Sequence, residues 1–374
     1  MIEWNKLETL TIFLTALWLQ MLNLLFIYSG GLSAVQMQIL NLLELPVLFI
    51  LSYSNVKDKK INQSIMFLMG LMLILFLLTI FKSSSFSVLA KSLNFLYINI
   101  MVFLLITKIK SFYQRLMSMY AYIGIIVLII LIFSLGNIDN RASLIVQPNF
   151  IGMVALSIVF ASLYVESTLI SMIVYALSIT IVLIVSSRAS LLGIIIIIFF
   201  ELFYFKKIAY LGIKNMLLRG AIFFLYISSM VIYGYSVIAN MFLLNDSYRG
   251  INSGMSGRTE RWLYALYQWL HHDFWLGIGY GESIHYLGFS ADNAYITILV
   301  ELGFIGLVLY MFILFFSIHT AFKKRYFKDI LFLVIYMVYG IFEKRYFSVG
   351  NAYSMMLFFT IYHIFLYDQK RKDI

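Results

Sequence analysis

Arg258, Arg261, His271, His272, His285 and Asp292 all fall in the one long polar stretch of an otherwise apolar chain, Asn245 to Asn293. The 374 residues contain no cysteine, so chemistry must come from arginines, histidines, carboxylates and hydroxyls. Within the stretch, Ser256 can cap a helix over Gly257 to His272, with Glu260 in its first turn and His271 and His272 in its last, each charge matching the helix dipole. Arg258 then joins a guanidinium to the unpaired N–H groups of a helix start. That combination suits phosphate or diphosphate, and the competing reading is contact with lipid head groups. Trp262, Leu266, Trp269 and Leu270 form an apolar face expected to lie along the membrane surface, with Arg258, Arg261 and Gln268 directed elsewhere.

Gly277, Gly279 and Gly281 lack the preceding strand and following helix of a dinucleotide fingerprint. They read as a turn permitting close backbone approach, a ligand included. His271, His272 and Asp273 are consecutive and point apart on a helix, and no H-x-x-x-H spacing exists, so no metal site is expected. Asp292 and Asn293 open the next apolar run, Asp292 either as an N-cap or as a general base for a hydroxyl acceptor. Glu301 lies roughly 13 Å further along that helix. It, Glu44 and Glu201 are either functional intramembrane carboxylates or interhelical hydrogen-bond partners. Arg188, in SSRASLLG, is either a snorkelling anchor or a further diphosphate cation.

The elements that must hold these residues follow from composition. The chain is 63% hydrophobic and 12% charged, with mean hydropathy +0.94, far from a soluble domain with about 25% charged residues. Apolar runs of roughly 17 to 25 residues suit membrane helices. The expected spans are Leu7 to Tyr28, Leu32 to Tyr53, Gln63 to Phe81, Phe86 to Thr107, Leu116 to Leu135, Phe150 to Val165, Thr168 to Ser186, Ala189 to Phe205, Gly220 to Asn240, Ala294 to Ile318, Ile330 to Phe342 and Val349 to Tyr367. The predicted fold class is therefore all-α: a single polytopic membrane domain, 1–374, of about twelve transmembrane helices. One large extracytoplasmic loop, 241–293, carrying an amphipathic helix, enters between the ninth and tenth.

A net charge of +10 would suggest nucleic acid for a soluble protein, but here the basic residues cluster at the ends of apolar runs, so no nucleic-acid partner is expected. Lys6, Lys57, Lys59, Lys60, Lys108, Lys110, Arg115, Lys206, Lys207, Lys214, Arg219, Lys323, Lys324, Arg325, Lys328, Lys370, Arg371 and Lys372 collect on one side, which places both termini in the cytoplasm. Lys82, Lys91, Arg141, Arg188, Arg249, Arg258, Arg261, Lys344 and Arg345 face outward. Lys6 precedes the first apolar run without a cleavage pattern, which reads as a retained span. Pro46 and Pro148, the two prolines, do not form the matched pair of interrupted helices that an inverted-repeat transporter would show.

The motifs SSRASLLG (Ser186 to Gly193), SGRTERW (Ser256 to Trp262), FWLGIGYG (Phe274 to Gly281) and DNAYITILVELGFIGL (Asp292 to Leu307) come in the order found in the O-antigen polymerase and O-antigen ligase superfamily, Wzy and WaaL, which the chain resembles over roughly residues 180 to 310. The resemblance implies a glycosyltransferase in the bacterial plasma membrane that uses undecaprenyl diphosphate-linked oligosaccharides on the outer face, with no cofactor and no metal. Arg188 and Arg258 match family arginines implicated in holding the diphosphate, and Arg261 is grouped with them. Trp262, Gly279, Gly281, Asn293 and Tyr295 are the expected glycan or loop contacts, and Asp292, His285 and Arg258 the expected catalytic groups. Ligases commonly carry a histidine just before the Asn-aromatic helix start, where this chain has Asp292. That departure favours a repeat-unit polymerase for O-antigen or capsule. The alternatives are a ligase delivering polymer to lipid A core and a flippase or transporter. The implied partners are the lipid bilayer, a chain-length regulator and a flippase of the same pathway.

Overall fold

A computed structural model describes residues 2–28, 63–81, 86–109, 111–135, 148–185, 187–201, 258–344 and 352–366. Among these every regular element is helical: α1 (Ile2–Tyr28), α2 (Gln63–Phe81), α3 (Phe86–Lys108), α4 (Phe112–Leu135), α5 (Pro148–Ser162), α6 (Thr168–Ile184), α7 (Arg188–Phe200), α8 (Arg258–His272), α9 (Ser283–Leu287), α10 (Ala294–Lys323), α11 (Phe327–Gly340) and α12 (Ala352–Leu366). The expected spans Leu32 to Tyr53 and Gly220 to Asn240 lie outside the described residues, and each of the others overlaps one of these helices.

The helices are apolar on both their inner and outer faces. Phe133, Leu169 and Phe322 are each at least 66% exposed, whereas a soluble helix would present charge there. Among the described residues five helices, α1 to α4 and α10, are long and apolar enough to cross a bilayer by length and composition. The protein is a membrane protein built of helices.

The chain forms two compact units. The first comprises 1–116 and 258–374. Its centre is α12, buried from Ala352 to Phe365 and touching α1, α2, α3, α10 and α11. Near the C-terminal end of α12 a buried polar knot ties three helices. Tyr113 Oη donates to Asp329 Oδ1 at 3.1 Å and pairs with Thr360 Oγ1 at 2.9 Å. The His363 ring stacks on both Tyr113 and Tyr326, with Nε2 3.7 Å from Asp329 Oδ2. A carboxylate is tolerated there because its oxygens have partners.

The second unit, 117–257, contains the packed trio α5, α6 and α7. Its tight point is Gly152 on α5, where a Cβ would come 2.5 Å from Ser187 Oγ and 2.6 Å from Ser190 Oγ. Ser187 donates to Ser190 at 2.9 Å. Ser187 and Ser190 of the SSRASLLG motif thus fix the start of α7, whose first residue is Arg188.

Candidate functional site

The loop and the tenth expected span are spliced through their backbones. α10 is broken at Gly303, whose φ of 68° and ψ of −170° are non-helical. A break inside a helix frees carbonyls on one side and N–H groups on the other, and both need partners where water is scarce. The segment after α8 supplies them in register. Ile278 and Gly279 donate to the carbonyls of Val300 and Glu301, both at 2.9 Å. Phe304 and Ile305 donate to the carbonyls of Phe274 and Trp275 at 2.9 and 3.3 Å.

The glycines follow from this exchange. A Cβ on Gly277 would lie 2.6 Å from the Glu301 carbonyl, and one on Gly303 would lie 2.2 Å from the Trp275 oxygen. The close approach expected of the glycine run is therefore made to α10 itself. Stacking of Phe274 on both Trp269 and Phe304 seals the splice.

Glu301 completes it. Its Oε2 accepts the Gly281 N–H at 2.8 Å, and its Oε1 accepts the Ser283 N–H at 3.4 Å and hydroxyl at 2.5 Å. Of the two readings of this carboxylate, the geometry is that of a hydrogen-bond anchor, which holds the turn before α9. Burial pushes the Tyr280 phenol up and the nearby Glu301 charge adds to it, so Tyr280 stays a hydroxyl at neutral pH.

The amphipathic helix α8 differs from expectation in where its apolar face goes. Trp262, Leu266 and Trp269 pack with Ala265 against Leu287, Ala291, Ile296 and Val300. This face covers the first part of α10 and is not free to lie along a membrane surface; Leu270, 56% exposed, is outside that cluster. The indole N–H groups find backbone acceptors, Trp262 on Ala291 at 2.7 Å and Trp269 on Phe274 at 3.0 Å. The packing partners supply apolar area that a lone amphipathic pattern cannot locate.

At the N-terminal end of α10, Arg261 Nη1 bonds Asp292 Oδ2 at 3.1 Å and the Ser290 carbonyl at 3.2 Å. Asp292 Oδ1 accepts the Ser290 hydroxyl at 2.7 Å. Asp292 has φ of 49°, a left-handed conformation that Asp tolerates better than most residues. The cap of α10 is Asn293, not Asp292: Asn293 Oδ1 accepts from the N–H groups of Tyr295 and Ile296 at 2.9 and 3.1 Å. Tyr295 Oη donates to the Met337 carbonyl at 2.6 Å, pinning α10 to α11.

Arg258 is half-buried at the first position of α8, with no hydrogen-bond or ion-pair partner among the described residues. His285 stands exposed on α9. Gly279 and Gly281 have φ of 123° and 77° in the turn. Arg188 is half-buried at the start of α7 in the other unit. Arg141, Arg249, Arg345 and the cap residue Ser256 lie outside the described residues. Among the described residues no group of three His, Asp or Glu is placed to hold a metal.

One residue escaped the sequence reading. Lys91 on α3, grouped above only by its outward charge, is half-buried, and a Cβ on Gly281 would lie 3.0 Å from its Nζ. The available signal was a lysine set one turn inside an apolar span, where a charge needs a reason.

No curated protein matches the chain. Residues 171–311 match the Wzy_C family model, described as O-antigen ligase. The matched stretch carries every motif of the resemblance, so over these residues the chain is similar to O-antigen polymerases and ligases, and the match does not separate the two branches.

Proposed function

We propose that the protein is a repeat-unit polymerase for O-antigen or capsular polysaccharide, acting at the outer face of the bacterial plasma membrane with both termini in the cytoplasm. The growing glycan leaves one undecaprenyl diphosphate and joins the terminal sugar of a second lipid-linked repeat unit. An acceptor hydroxyl attacks the anomeric carbon of the donor. The new C–O bond forms as the bond to the diphosphate breaks, the diphosphate leaves as an anion, and the hydroxyl proton passes to His285 or Asp292. Arg258 stabilises the charge that develops on the leaving group, and Arg261 is held in place by Asp292.

The observation that carries this reading is Arg258: a half-buried guanidinium at a helix start, without an internal counter-ion among the described residues, inside the family-matched segment. Asp292 at the position where ligases commonly have a histidine supports the polymerase branch. The description of the matching family model favours the ligase as second reading.

The test is the surface-glycan profile and lipid-linked pool of a deletion strain complemented with wild type or Arg258→Ala. Wild type should restore long polymer, and Arg258→Ala should leave single repeat units while the protein remains in the membrane. Full polymer in the variant overturns the assignment. In the deletion strain itself, a bare core with long lipid-linked polymer identifies a ligase, and repeat units held on the cytoplasmic leaflet identify a flippase.

A further inference from the structure

Beyond its break, α10 runs from residue 304 to 323, a rise of about 30 Å, which equals the hydrocarbon thickness of a bilayer. With residues 304 to 323 taken as the part of α10 that fills the apolar layer, the break, the turn bonded to it and the end of α3 that reaches the turn stand at the loop-side edge of that layer. Asn293 is eight residues before Glu301, so the Arg261–Asp292 pair lies about 12 Å further up the helix, away from that layer. Lys91 is a cation at that boundary. It is half-buried, has no ion-pair partner among the described residues, and brings Nζ against Gly281, a residue whose left-handed φ and missing Cβ leave room for it. Glu301, the carboxylate that holds this turn, is occupied by Gly281 and Ser283. A half-buried ammonium in this position favours an anion, and the anion fixed at this height on a membrane-anchored substrate is its phosphate.

We propose that Lys91 binds the lipid-side phosphate of a polyprenyl diphosphate-linked substrate at the membrane boundary, a contact separate from that of Arg258. This rests on the polymerase reading for the identity of the lipid, though not for the existence of an anion position. Lys91 serves ground-state binding, whereas Arg258 serves the departing charge. Loss of Lys91 therefore raises KM for lipid-linked substrate, and loss of Arg258 lowers kcat.

The direct measurement is binding of undecaprenyl diphosphate to the full-length protein in phosphatidylcholine vesicles, with phosphatidylglycerol as competitor. Lys91→Met should weaken binding about tenfold or more, as expected for loss of a charged hydrogen bond, and Lys91→Arg should restore most of it. Lys91→Gln is the second variant should Lys91→Met fail to reach the membrane. Unchanged affinity in the neutral variants overturns the proposal. So does equal displacement by phosphatidylglycerol, which would make Lys91 an ordinary head-group anchor. If Arg258→Ala abolishes polymer while the Lys91 variants bind normally, the inference fails and the polymerase reading survives. If Lys91→Met loses binding while Arg258→Ala still makes polymer, the phosphate contact stands and that reading falls.

Discussion

Gly303→Ala tests the splice on which the site is built. Two costs follow from the geometry. An alanine at φ 68° and ψ −170° enters a region essentially reserved for glycine, at about 1–3 kcal/mol. Its Cβ would also lie 2.2 Å from the Trp275 oxygen, so the 274–275 segment of the loop must retreat. That retreat breaks the bonds from Phe304 to Phe274 and from Ile305 to Trp275, each worth about 1 kcal/mol. The total is roughly 3–5 kcal/mol, a large part of the stability of an ordinary domain. The assay is thermal unfolding of the purified protein in detergent at fixed scan rate, together with limited proteolysis of the 273–293 segment and polymer formation in cells. A fall in midpoint of about 5–10 °C, faster cleavage of the loop and loss of polymer are expected. Gly70→Ala is the control. No atom lies within 4 Å of its Cβ, and in mid-helix it should be neutral or stabilising by about 0.5–1 kcal/mol. A Gly303→Ala protein as stable and protease-resistant as wild type would mean that α10 runs through this point unbroken, which refutes the splice.

Glu301→Gln should open the turn without unfolding the protein. The amide keeps one acceptor but presents N–H groups to donors from Gly281 and Ser283, at a cost of about 1–3 kcal/mol; proteolysis near residue 281 should accelerate while membrane abundance is kept. For the Arg261–Asp292 pair, a double-mutant cycle with Arg261→Gln and Asp292→Asn should give a stability coupling of only about 0.5–1 kcal/mol, because the Arg261 side chain is 35% exposed. A coupling near zero would show that the pair does not persist in solution.

The helical class and the start of α10 at Ala294 were legible in the sequence because lipid imposes long apolar runs and the Asp-Asn pair breaks them. The helix from 258 to 272 was also legible, from its polar-to-apolar pattern and its terminal charges. Its packing was not: Trp262, Leu266 and Trp269 satisfy an interfacial pattern as well as a buried one, and only the partner surface of α10 decides. Glycine spacing announced a close approach without naming what approaches. GIGYG and E-x-G are twenty-odd residues apart, and the exchange of backbone bonds between them has no side-chain signature beyond the absence of Cβ atoms. Lys91 comes from another helix altogether, too distant in sequence for any local pattern to join it to Gly281.

The division of polar side chains between holding and reacting narrows the proposed chemistry. Glu301 is filled by three donors, Asn293 by two backbone N–H groups, and Tyr295 by a carbonyl. Asp292 gives one oxygen to Arg261 and the other to Ser290, so taking a proton there means giving up a bond that orients the arginine. His285 carries no such conflict. It stands exposed on α9, two residues from Ser283, whose hydroxyl and N–H are both fixed by Glu301. A carboxylate that touches no substrate would then set where the base stands. Within the polymerase reading, His285 is the better proton acceptor and Asp292 the positioning residue for Arg261, so that one wall of the site is aligned by the α10 break and the other by the α10 cap.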